Sequence, residues 1–123
     1  MTISVPIRGL TIRQPHARLI EIGEKSIELR SWTTRWRDIV VICAAAKPDF
    51  DLGYPCGVTI CRATLTDVRP FVQGDATAAC SPWRAGLFAW ILTDVEPVPR
   101  LPVSGRLGLF ALSPALLSRI RRR

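Results

Sequence analysis

Apolar and polar residues alternate along IRGLTIR, residues 7 to 13, which predicts a first strand. The period then changes in QPHARLIEIG. Pro15 suits the first position of a helix over 15 to 22, and Gly23 suits the residue just past its end. Leu19, Ile20 and Ile22 give that helix an apolar face, with Arg18, Glu21 and Glu24 outside. SIELR, 26 to 30, returns to a period of two, placing Ile27 and Leu29 on one face and Ser26, Glu28 and Arg30 on the other. IVVICAAA, 39 to 46, is continuously apolar and predicts a strand covered on both sides.

Strands rich in Val, Ile, Thr and aromatics follow at 57 to 68 and 86 to 95, with a loop or short helix between them. The proline-rich EPVPRLPVSG cannot be a central strand. GRLGLFAL, 105 to 112, predicts the last strand. Ser113 and Pro114 then cap a short helix, ALLSRI. About six strands with one early and one late helix predict a mainly β (α+β) fold, a small and mostly antiparallel barrel. Trp90 falls in an apolar strand and is expected in the core.

With 123 residues, one domain is the expectation, over 1 to 118, ending in a basic tail, 119 to 123. A hydrophobic content of 48% argues against disorder. No run approaches the roughly 18 apolar residues of a membrane helix, and the N-terminus lacks the pattern of a signal peptide. A cytoplasmic protein with no membrane association is the simplest expectation, and we assume a monomer. Net charge is +7, and Arg119, Arg121, Arg122 and Arg123 supply four of those charges. The balance favours polyanionic partners. The four cysteines, Cys43, Cys56, Cys61 and Cys80, contain no C-x-x-C pair, and His16 is the one histidine, so no metal site and no cofactor are expected. Cys43 and Cys61 lie in apolar strands and read as small core residues.

Charged residues concentrate in GEKSIELRSWTTRWRD, 23 to 38. If Ile27 and Leu29 enter the core, Glu28 and Arg30 face outward together, about 6 to 7 Å apart and close enough to pair. Lys25 sits at the turn after the helix and reads as a mobile cation whose loss would weaken binding but leave stability intact. The helix start at Pro15 offers free N–H groups that favour an anion, and Arg13 adds charge beside it. A solvated Glu–Arg face and the wall of an anion-binding pocket are both consistent with this pattern.

GEKSIELR matches G-x-K-x-x-E-x-R, and on it the chain resembles the ASCH domain, a relative of the PUA domain. LTIRQPHARLI is similar to the family's L-S-x-x-Q-P-W-A-x-L-I opening. RSWTTRWR, IVVICAAAK, GYPCG and PVSGRLGLFAL resemble its later segments. His16 and Phe110 stand where the family often has Trp. The resemblance implies a PUA-like barrel with the early helix at its mouth, and a cleft lined by the signature residues that binds RNA, DNA or a nucleotide. The residues it points to are Arg13, Gln14, His16, Lys25, Glu28, Arg30, Trp32, Arg35 and Arg37. Trp32 is either a stacking platform or barrel packing, and Arg35 and Arg37 are either phosphate contacts or solvated charges.

The alternative is a small hydrolase acting on RNA or modified nucleosides, with Lys25 and Glu28 as candidate catalytic residues. One branch resembling amidohydrolases pairs the signature Lys with a Thr three residues on and a downstream Glu. Here that position is Glu28, and no further Glu occurs before Glu96. The R-S-W run and Y-P-x-G turn are closest to the branch resembling activating signal cointegrators. A second titratable group or hydroxyl beside Lys25 is what would keep hydrolysis in play.

Overall fold

The computed structural model describes residues 6–121. Strand β1 (Ile7–Ile12) leads into α1 (His16–Glu21) and then β2 (Ile27–Arg30), β3 (Ile39–Ala44) and β4 (Thr59–Pro70). A 3-10 turn at Gln73–Asp75 runs into the short α2 (Ala76–Ala79). β5 (Phe88–Pro97), β6 (Leu109–Phe110) and α3 (Pro114–Arg121) complete the described chain. The strands form one sheet in the order β2-β5-β4-β3-β1-β6, curled into a half-barrel. This is the mainly β architecture expected.

Pairing is antiparallel except between β1 and β3, which run parallel with Ile7 opposite Ile39 and Ile12 opposite Ala44. The intervening α1 and β2 make that parallel return. Both strands therefore end at the same side of the sheet, bringing Thr11–Arg13 beside Ala45 and Ala46 there.

The β3 strand is covered on both faces, as its unbroken apolar run requires. Val40, Ile42 and Ala44 belong to the main core with Leu10, Ile20, Ile60, Leu65 and Trp90. Val41 and Cys43 point the other way, into a second cluster with Leu101, Phe110, Leu112 and Ile120. Each fully buried Leu or Ile contributes about 1.5–3 kcal/mol by leaving water. The thiols of Cys43 and Cys61 are buried here, and burial pushes both up to about 12, so they pack as small apolar groups.

Three boundaries depart from expectation. The last strand is two residues long, because the chain before it forms a loop through Gly108, whose φ is +70°. The expected tail boundary at 119 falls inside α3. Ser113 Oγ accepts from Leu116 N–H at 3.2 Å to cap that helix, and Ile120 is buried beneath it, so the helix continues to Arg121. Arg122 and Arg123 lie outside the described residues.

The third departure is at the start of α1. Gln14 Oε1 accepts the Arg18 N–H at 2.9 Å and Arg13 O accepts the His16 N–H, so two of the first N–H groups of this six-residue helix are already bonded within the protein.

The strand parity of SIELR holds, but inside and outside are exchanged. Ile27 and Leu29 meet a satellite cluster with Phe71, Ala79 and Ala89 on the outer side of the sheet. Glu28 lies opposite Trp90 in the β2–β5 ladder and so shares the concave face with the main core. The polar face of β2 looks into the half-barrel.

Candidate functional site

The concave face opens into a pocket of about 860 Å³. The ends of β1 and β3 form one wall, β2 forms the opposite wall, and His16 of α1 lies between them. Loop residues Ser81, Arg84 and Gly105–Gly108 complete the mouth.

Gly23 places Lys25 here. Its φ of +84° turns the chain back after α1, a conformation that glycine alone adopts freely, and Lys25 N–H then donates to Leu19 O at 3.0 Å. The Lys25 side chain is only 2% exposed. Its Nζ donates to Ala79 O at 2.6 Å and lies 3.7 Å from Glu28 Oε1. Lys25 is therefore a fixed cation, not the mobile one its turn position suggests. Removing it would strip a buried carbonyl of its partner, so its replacement by Ala is expected to lower stability. Burial lowers the Lys25 pKa, with Glu28 opposing and Arg30 reinforcing the shift.

Glu28 Oε2 forms an ion pair with Arg30 Nη2 at 2.9 Å, and the same Nη2 donates to Thr11 O at 2.7 Å. Arg30 thus spans the open seam between β2 and β1. Its Nε is buried and has no hydrogen-bond partner among the described residues. Trp32, half-buried, packs edge-on against Trp90 with ring centroids 4.7 Å apart, and Trp90 Nε1–H donates to Trp32 O at 3.2 Å. It also lines the pocket, so packing and platform are compatible roles.

His16 sits between opposing charges, with Nε2 3.8 Å from Asp49 Oδ2 and a buried, unpartnered Nδ1. Burial lowers its pKa below the ordinary 6.5. Lys25 lowers it further, while Glu28 and Asp49 oppose. The folded state therefore favours neutral His16, and the unfolded chain takes up its proton first. This contribution is full above 6.5 and is lost as pH falls through the lower folded value. Thermal melts between pH 7.5 and 5 are expected to show the wild type losing more stability than His16→Gln; parallel curves would refute this reading of His16.

Of the residues singled out from sequence, Arg13, His16, Lys25, Glu28, Arg30 and Trp32 line this pocket. Gln14, Arg35 and Arg37 do not. Gln14 is buried, and besides capping α1 its Nε2 donates to Pro55 O at 2.9 Å. Arg37 is exposed and folds onto its own turn, donating to Thr34 O and Trp36 O. Arg35 is also exposed. Sequence reasoning missed Thr11, Asp49, Ser81, Arg84, Arg106 and Leu107. The one local signal was the Gly105–Gly108 bracket around Arg106 and Leu107. Among the described residues there is no group of three or more His, Cys, Asp or Glu that could hold a metal ion.

A family model for the ASCH domain matches residues 10–101. No curated protein matches in sequence. Among solved structures, the fold is similar to the crystal structure of ASCH from Zymomonas mobilis, at 13% identity, 92% coverage of each chain and a TM-score of 0.67. Crystal structures of two single-residue mutants of that protein are also similar. One is 14% identical with a TM-score of 0.66, covering 91% of this chain and 94% of its own. The other is 14% identical with a TM-score of 0.57, covering 78% and 75%.

Proposed function

The chain belongs to the ASCH domain family, and on that premise we propose that the pocket binds RNA or DNA one nucleotide at a time, base inward and phosphates at the rim. The observation that carries this reading is the charge inventory. Arg13, Lys25, Arg30, Arg84 and Arg106 line the pocket against two carboxylates, Glu28 and Asp49. The cations are layered. Lys25 and Arg30 are committed to Glu28 at the floor, whereas Arg13, Arg84 and Arg106 are exposed at the mouth, where phosphates can reach them. Trp32 and the apolar Ile12 also line the pocket, a setting for a planar ring. Arg30 and His16 line the same pocket and supply polar groups on the side a base would enter.

The test is fluorescence anisotropy with labelled single-stranded RNA and DNA oligonucleotides over a range of salt. Arg84→Ala and Arg106→Ala are each expected to weaken binding and to flatten the log–log salt slope by about 0.7, the release from one single-strand phosphate contact. Their melting temperatures should match the wild type. Unchanged slopes would remove phosphates from the mouth. The terminal arginines add nonspecific attraction in the same reading, with a cytoplasmic monomer and no cofactor as its setting.

A second reading, hydrolysis of RNA or a modified nucleoside, is favoured by one observation: Lys25, its pKa lowered, shares the pocket with Glu28 and the Ser81 hydroxyl. Against it, Lys25 Nζ is enclosed and already bonded to Ala79 O. Turnover of an RNA oligonucleotide that vanishes in Lys25→Met, with the fold intact, would turn the assignment from binding to hydrolysis.

A further inference from the structure

We infer that Leu107 is a wedge, an apolar side chain set to enter a base stack and fill the gap left when one nucleotide turns into the pocket. The inference rests on the nucleic-acid reading of the pocket and extends it to paired strands.

Leu107 is 100% exposed, the most exposed large hydrophobic among the described residues, and it belongs to none of the three apolar clusters. Its loop is nonetheless pinned. Gly105 lies so close to Thr11 that a β-carbon there would stand 2.9 Å from Thr11 Cγ2. Arg106 N–H donates to Thr11 Oγ1 at 3.2 Å. Gly108 then turns the chain into β6, which pairs with β1 through Leu109 and Leu10. The fold thus displays a leucine on an anchored loop at the pocket mouth without burying it.

The surroundings select the partner. Beside Leu107 at the mouth are Arg106, Arg84 and Arg13, which suit a phosphate backbone rather than an apolar protein face. A base in a duplex cannot reach a concave pocket without leaving its stack, and proteins that open a base step insert apolar side chains there. In this arrangement Arg106 takes the phosphate and Leu107 the stack, while the displaced base enters the pocket that Arg30 and His16 line.

The experiment uses duplex DNA and duplex RNA carrying 2-aminopurine, and the same strands unpaired. Wild-type protein is expected to raise 2-aminopurine fluorescence on binding a duplex. Leu107→Ala should lose that rise and about tenfold in duplex affinity, the scale of one stacking contact, and far less in single-strand affinity. Leu107→Phe should restore both. The DNA and RNA arms identify which duplex is opened. Equal losses on single and double strands, an unchanged Leu107→Ala, or duplex binding without a fluorescence rise would each overturn the wedge while leaving the pocket reading standing. Wild type that binds no single strand would overturn the pocket reading and the wedge with it.

Discussion

Replacing Glu28 by alanine is expected to destabilise the protein by about 3–5 kcal/mol, the range for removing one partner of a buried ion pair. Lys25 on one side of its carboxylate and Arg30 on the other would then face each other across the pocket floor without an anion. Domains of this kind are stable by only about 5–15 kcal/mol in total, so the loss is a large share. Glu28→Gln keeps the shape and an acceptor for Arg30 and should lose less. Lys25→Met in the Glu28→Ala background removes one of the stranded cations and should recover part of the stability. Urea melts of the three variants decide it. A Glu28→Ala midpoint equal to wild type would mean that the three groups are screened by solvent and do not form a buried network.

Arg30→Ala is expected to weaken oligonucleotide binding by about 1.5–3 kcal/mol, roughly ten- to a hundredfold, the range of a lost charged hydrogen bond. The same change removes the bridge from β2 to Thr11 O across the seam and leaves Glu28 with Lys25 alone. It therefore lowers the melting temperature too, and the two effects need separating. Arg30→Lys does so. It keeps the charge beside Glu28 but not the planar fork that also meets Thr11 O. Its stability should be largely restored and its binding should not. Binding restored together with stability would make Arg30 a structural brace only.

The period of two in SIELR and the unbroken run of IVVICAAA were enough to put Glu28 and Arg30 on one face and to bury β3 from both sides. Gly23 and Ser113 likewise marked a helix end and a helix start. What the pattern could not say was which face of β2 is inside. Ile27 and Leu29 find apolar partners in Phe71, Ala79 and Ala89, forty and more residues away, and that packing frees the polar face to look inward. Nor could any local period reveal that Asp49, Ser81, Arg84, Arg106 and Leu107, from three loops, converge on the wall that Glu28 and Arg30 build. Gln14 falls outside the pocket for a related reason. A polar residue before a helix can serve a ligand or the helix, and its two hydrogen bonds, to Arg18 N–H and Pro55 O, commit it to the helix and the facing loop.

The most direct test of the pocket as the nucleic-acid site is an amide and indole chemical-shift titration of the labelled protein with an unlabelled single-stranded oligonucleotide. The predicted result is that shifts concentrate at Thr11, His16, Glu28, Arg30, Trp32 and Arg106, saturating together. Shifts confined to Arg119 and Arg121 on α3, or to Arg8, Arg35 and Arg37 outside the pocket, would contradict it.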